Sequence, residues 1–412
     1  MDTGIDSLMK ETQHKLTLCV VVRGVLDIRT RKSAEALSQL ATVKVINVVN
    51  CTQPDKQENE PFTVRSVIRL GPAPGKISWR LLRVAYNLTI LKLGLRYYAH
   101  KTGVFCENQI REALLEEAPD AIMAINADTL RPCAQAAEQL GSLLVYDAYE
   151  YWPDHHKSPM LALSGVERRS LYEAERDYMA QAGLAITVSP VLARAYQEEF
   201  NLPRMPLVIY NAPPAYIPEA FPVNRPIRFA FLGSFQTNRN MELMLEAAAQ
   251  AEGVDFSFQG SGKLESWMRA EIAQRGLSDR IRVVEPVPYD ELVMSAARYD
   301  VGVMAHGSDN LQVRGALPNK FFEYMAAGLG MIAPPNPALT EFEGVEDFAC
   351  FLPEVTAEAL AGLMQQLAQN PRRVAAMKEQ ALKHASLYAG EAQAKHLREA
   401  FTAMMAQRTD DV

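Results

Sequence analysis

Short apolar runs rich in Val, Ile and Leu recur along this chain, separated by longer amphipathic stretches, and that alternation constrains the fold more than any other feature. In the first half the runs fall at 16–22, 43–49, 64–70, 120–125, 143–146 and 185–188. In the second half they fall at 227–232, 254–258, 281–284, 301–305, 330–333 and 348–352. Helices are predicted between several of them, over 30–40, 130–139 and 166–182. The runs are nearly continuous in apolar character, as parallel strands covered on both faces require. The pattern predicts an α/β chain built from βαβ units in doubly wound, Rossmann-like sheets.

At 412 residues the chain is too long for one ordinary core. The alternation breaks at 211–226 (NAPPAYIPEAFPVNRP), where five prolines stand in sixteen residues. We read this as a linker between a domain over 1–210 and a second over 227–385. The stretch 356–406 is helical by composition, and 386–412 is expected to pack back on the first domain. Open α/β sheets bind ligands at the carboxyl ends of their strands, so two such domains predict a cleft between those edges.

A net charge of −7 argues against general nucleic-acid binding. Cys19, Cys51, Cys106, Cys133 and Cys350 are scattered, without the CxxC or Cys/His pairing of a zinc site, which suits a reduced, cytoplasmic chain. Residues 1–15 lack a signal-peptide core, and no apolar run reaches the ~18 residues of a membrane span. One stretch departs from the acidic average. No Asp or Glu stands between Glu60 and Glu107, while residues 65–101 carry eight Lys and Arg interleaved with Trp79, Tyr86, Tyr97 and Tyr98. That composition suits peripheral docking on an anionic membrane surface, and equally a core helix with snorkelling cations.

The most specific motif is LPNKFFEYMAAGL at 317–329. It reads as a loop, a helix opening after Pro318, and a glycine that ends it. The helix N-terminus around Asn319 and Lys320 is a ready diphosphate site. Glu323 lies about one turn further on, where its carboxylate can accept from ribose hydroxyls. An amphipathic helix with Glu323 on its solvated face fits the spacing equally well. A second element, FLGSFQTNRNME at 231–242, combines a strand end at Gly233, a polar loop beginning at Ser234, and a helix start near Asn240. Arg239 there opposes the helix dipole, which favours a bound anion over a plain surface role. Gly260, Gly262 and Lys263 follow the next strand run, where GxG alone is a weak signal.

These motifs, in this order, resemble those of the retaining GT-B glycosyltransferases (family 4-like, group 1). The run at 317–329 stands nearly verbatim in one subgroup. The resemblance covers most of residues 16–370 and implies a GT-B fold of two Rossmann-like domains. It implies transfer of a sugar from a nucleotide-diphosphate sugar, as co-substrate, to a hydroxyl on a glycan or lipid-linked acceptor. No cofactor and no metal site are expected. Gly233, Ser234, Lys263, Pro318, Asn319, Lys320 and Glu323 would hold the donor, with Glu323 on the ribose and Arg239 stabilising the leaving diphosphate. The family often carries a further glutamate eight residues before the ribose-binding one. Here that position is Gly315, so sugar contacts fall to other groups such as His306.

In the first half, Asn126-Ala127-Asp128-Thr129-Leu130 and Tyr146-Asp147-Ala148-Tyr149-Glu150 end two strand runs. They resemble the family's Asp-x-Asp-Thr-Leu and Tyr-Asp-x-His-Glu. Asp128 and Glu150 match and are the catalytic candidates beside Arg239. Asn126 and Tyr149 depart from the pattern and, with Arg23 and Gly24 of the first loop, are candidates for sugar or acceptor contacts. Asp147 also matches, and a structural helix cap explains it as well. Two other readings remain open: a non-catalytic GT-B module that binds a sugar nucleotide or glycan, and a nucleotide-sugar epimerase. A dinucleotide-dependent oxidoreductase is disfavoured, because no GxGxxG follows the first strand run.

Overall fold

The computed structural model describes residues 16–24, 26–49, 60–68, 107–157, 165–216, 222–307 and 310–410. The chain divides into two compact units, one running through Ile209 and resuming at Ala394, the other spanning Tyr210–Gln393.

The first unit is built on seven parallel strands in the order β3-β2-β1-β4-β5-β6-β7. These are β1 (Thr17–Arg23), β2 (Thr42–Val49), β3 (Thr63–Ile68), β4 (Ala121–Ile125), β5 (Leu143–Asp147), β6 (Leu184–Thr187) and β7 (Leu207–Val208). Strand order reverses between β1 and β4, which makes their carboxyl ends the switch point of this sheet. Val20, Val22, Val45, Met123, Ile125, Val145 and Ile186 fill one core, joined by Leu397, Phe401 and Met404 of the final helix Gly390–Asp410. Local chemistry sets the helix ends. Asp27 caps Ile28–Ser38 by accepting from the Thr30 amide at 2.7 Å. Ser189 caps Pro190–Phe200, with proline in the first turn. The 130–139 helix runs over Ala127–Leu140, and the 166–182 helix stops at Tyr178 and tightens into a 3₁₀ turn over Met179–Gln181. The helix Pro190–Phe200 and the two-residue β7 carry no run long enough to stand out in the sequence.

The second unit repeats the plan with six parallel strands in the order β10-β9-β8-β11-β12-β13. They are β8 (Ile227–Leu232), β9 (Val254–Gln259), β10 (Ile281–Val284), β11 (Val301–Val303), β12 (Gly330–Ala333) and β13 (Ala349–Phe351). Its switch point lies between β8 and β11. Phe229, Phe231, Phe256 and Phe258 centre its core. Residues 211–216 carry no regular secondary structure; the Gly390 amide donates to Pro213 O, and the Ala215 amide donates to the Glu391 carboxylate of the same unit.

Cys19, Cys133 and Cys350 are buried free thiols. Among the described residues no helix is long and apolar enough to cross a membrane. Of the Lys and Arg residues in the basic stretch 65–101, only Arg65 is described; residues 69–101 lie outside the described residues. Arg65 pairs with Glu116 and Glu117 of the helix Glu107–Glu117, and its side chain remains 42% exposed.

Candidate active site

In the second unit, the motif helix is Asn319–Ala326, with Pro318 as its N-cap and Phe321, Phe322, Tyr324 and Met325 buried. Two contacts fix it against the switch point. The Tyr324 hydroxyl accepts from the Leu232 amide at the end of β8, at 3.0 Å. Its ring covers Gly302 of β11, where an added Cβ would lie 2.3 Å from Cδ2. Only glycine leaves room for that ring.

The same helix delivers Lys320 to Gly233. A Cβ on Gly233 would stand 2.6 Å from the Lys320 Nζ, and Gly233 has φ +131°, a conformation other residues avoid. The loop beyond turns through the 3₁₀ segment Thr237–Arg239 to Asn240, whose side-chain amide donates to Ala305 O at 2.8 Å. That bond ties the β8 loop to the β11 loop, and so brings Arg239 close to His306. Burial lowers the half-buried Arg239 guanidinium. Burial, with Glu323 raising and Arg239 lowering, brings the Lys320 ammonium down to about 8. His306 is brought down to about 4 by burial and by the charges of Arg239 and Lys320, so it is neutral at pH 7. Its Nδ1 is buried without a hydrogen-bond partner.

Glu323 is 7% exposed, which replaces the solvated-face reading with a buried carboxylate. Tyr289, beyond β10, is pushed up to about 12 by burial and by the charge of Glu323. Asn319 is exposed, and its Oδ1 accepts from Asn211 at 3.1 Å. Ser234 and Lys263 are exposed. Thus Gly233, Arg239, His306, Lys320 and Glu323 gather, while Lys263 stands on the following loop. Sequence reading missed Tyr289 and Tyr324, whose roles depend on what they touch; the glycine at 302, inside an apolar run, was the available signal for a close approach.

In the first unit the switch point holds a second polar group. Arg23 ends β1 and pairs with Asp128 at 3.5 Å. Burial raises the Asp128 carboxyl while Arg23 offsets it. Burial raises Glu150 too, reinforced by Asp128 and Asp27. Asn126 adopts φ 62° and ψ 166°, a region that costs a non-glycine residue ~1–3 kcal/mol, and its buried Oδ1 has no partner. Gly24 has φ +94° and donates its amide to Val48 O. Tyr149 is tied back, its hydroxyl donating to Asp27 at 3.0 Å. Asp147 is not a helix cap: both its oxygens take the Arg29 guanidinium, at 2.9 and 2.7 Å, and it is 1% exposed. Among the described residues no group of His, Cys, Asp and Glu is placed to hold a metal ion.

The family model of Glycosyl transferases group 1 matches residues 217–384. This stretch belongs to that family. The glycosyltransferase match thus takes in both the β8 loop and the motif helix. Known folds agree over 94–95% of the chain. Sucrose-phosphate synthase from Thermosynechococcus elongatus is 16% identical over 95% of this chain and 100% of that chain, with a TM-score of 0.70. HepE from Anabaena, solved in complex with UDP, is 15% identical over 94% and 100%, with a TM-score of 0.67. A glycosyltransferase from Rickettsia africae is 11% identical over 95% and 99%, with a TM-score of 0.66. At such identities the likeness establishes the fold, which is GT-B. No curated protein sequence matches the chain.

Proposed function

We propose that this glycosyltransferase moves a sugar from a nucleotide-diphosphate sugar to a hydroxyl acceptor, with retention at the anomeric carbon, in glycan or glycolipid synthesis. One observation carries the donor assignment. Arg239 lies near Lys320 and His306, and Lys320 stands beside Gly233 at the switch point; neither cation has a carboxylate in ion-pairing distance among the described residues, and Glu323 lies one turn beyond. Partly desolvated cations without an ion-pair partner are costly unless an anion fills the place. A diphosphate supplies that anion, and Glu323 then accepts from the ribose. HepE, of the same fold, has been solved with UDP-glucose, which makes UDP-glucose the first donor to try.

In the reaction, the bond between the anomeric carbon and the diphosphate oxygen breaks. Arg239 and Lys320 stabilise the charge that grows on that oxygen. The acceptor oxygen bonds to the same face of the carbon, and its proton passes to the departing diphosphate. Neutral His306 offers the sugar a hydrogen-bonding nitrogen. The orphan amide of Asn126 and the Arg23, Asp128 and Glu150 group take acceptor hydroxyls. Because the protein supplies the positive charge, we assign no metal to the step.

The test is a thermal-shift panel of UDP-, GDP-, ADP- and dTDP-sugars on the wild type and Glu323→Ala. A ligand at ~100 times its Kd adds about 2.7 kcal/mol of stability. A shift with one nucleotide class that vanishes in the variant supports the donor site. No shift with any sugar nucleotide, in folded protein, overturns it. Turnover that survives a chelator and yields a product of unchanged anomeric configuration supports the remaining clauses.

A further inference from the structure

Glu175, on the helix Gly165–Tyr178, is fully buried at 0% exposure, and no cation pairs with it among the described residues. Its Oε1 lies 2.6 Å from the Tyr146 hydroxyl on β5 and 2.9 Å from the Tyr196 hydroxyl on the helix Pro190–Phe200. The Tyr196 hydroxyl also lies 2.7 Å from the carbonyl oxygen of Glu150. Oε2 of Glu175 is buried without a partner.

Counting protons decides the state of this cluster. A phenol has one proton to give. The Glu150 carbonyl only accepts, so the Tyr196 proton belongs there. The contact between the Tyr196 oxygen and Glu175 then needs a proton of its own, and only the carboxyl can provide it. Tyr146 donates to the remaining lone pair of Oε1. With Glu175 protonated, each of the three contacts holds one proton. With Glu175 ionised, either the Glu150 carbonyl or the Tyr196–Glu175 contact goes without, and a carboxylate with one bare oxygen sits away from water.

We infer that Glu175 is a neutral carboxylic acid at neutral pH and a positioning residue that, through Tyr196, fixes the backbone of Glu150. Its importance for catalysis rests on the acceptor role given to Glu150 above; the protonation state does not. Burial pushes the Glu175 carboxyl up to about 8, the two tyrosine hydroxyls pull it down, and the charge of Glu150 adds to the rise. The titratable groups facing it are Tyr146 from β5, Tyr196 from the helix Pro190–Phe200, Glu150 and Tyr151 from the loop after β5, and Tyr172 from its own helix. Tyr151 packs edge-on to Tyr196 at 4.8 Å.

The experiment needs neither donor nor acceptor, so its failure is distinct from failure of the proposed reaction. Infrared spectra of the full chain at neutral pH are compared for the wild type and Glu175→Gln, together with amide hydrogen exchange around Glu150 over a pH series. The expected spectral change is loss of a protonated-carboxyl band with no loss of carboxylate absorption. Exchange around Glu150, corrected for its intrinsic pH dependence, should rise in the wild type above about pH 8. It should stay flat in Glu175→Gln, whose amide can donate to Tyr196 as the acid does. Tyr196→Phe should speed that exchange on the order of tenfold below about pH 8, the loss of about one hydrogen bond, with the gap from the wild type narrowing above it. Loss of a carboxylate band instead, or equal acceleration in Glu175→Gln and Tyr196→Phe, overturns the inference.

Discussion

The ammonium of Lys320 lies over the ring of Phe231, 5.0 Å from its centroid, and occupies the space that a side chain on Gly233 would take. A side chain at Gly233 therefore meets both an unfavourable φ and an occupied space. Gly233→Ala is expected to lose about 1–3 kcal/mol of stability and the nucleotide-induced thermal shift together. Denaturant unfolding, with and without UDP-glucose, measures both.

Lys320→Met separates stability from binding. It removes a desolvated charge beside Arg239, so the free protein should melt at the same or a higher temperature. It also removes a charged hydrogen bond to the diphosphate, worth about 1.5–3 kcal/mol, so donor affinity should fall by roughly ten- to a hundredfold. Calorimetric titration of UDP-glucose reads the second effect.

The same amine gives a pH dependence with a definite sign. Its folded value is lowered from 10.5 to about 8, so the folded free protein binds fewer protons than the unfolded chain between these limits. Stability from this group rises with pH across that window and is lowest below it. Donor binding favours the charged amine, so affinity should decline above about pH 8, with proton uptake on binding. Titrations in two buffers of different ionisation heat detect the uptake.

Arg29 and Asp147 form a buried pair, and Arg29 also donates to Ile209 O at 2.9 Å. Arg29→Met leaves Asp147 charged and unpaired, and should cost about 3–5 kcal/mol in urea unfolding. The double variant Arg29→Met, Asp147→Leu should recover part of that loss.

For Glu175 the linkage runs the other way. A folded value raised from 4.5 to about 8 means that the folded state holds more protons than the unfolded chain between those limits. Stability should fall as pH rises through that window, by at most about 1.4 kcal/mol per pH unit. Glu175→Gln should flatten that slope and gain on the wild type toward pH 8, as read by unfolding at several pH values.

Much of the candidate site in the second unit was legible beforehand, because its information is local. PNKFFEYMAAG contains its own helix start, its buried face and its stop, and the glycine at 233 marks a strand end in any order of reading. The polar group of the first unit was harder to read. Asp147 looked like a helix cap, yet it is the counter-ion of Arg29, 118 residues away. Arg65 stood out only as part of a basic composition, and its partners Glu116 and Glu117 lie 51 and 52 residues further along the chain.

The sequence by itself determined the α/β class, most strand positions and the identity of the motif helix, since each follows from periodicity and capping within a few residues. Only the tertiary structure decided which charges go unanswered. It placed Arg239, His306 and Lys320 together, buried Glu323 rather than solvating it, and shut Glu175 away with two tyrosines. The physical reason is that burial and charge proximity are properties of folded space. Residues far apart in the chain share a dielectric environment only after parallel strands bring their carboxyl ends side by side.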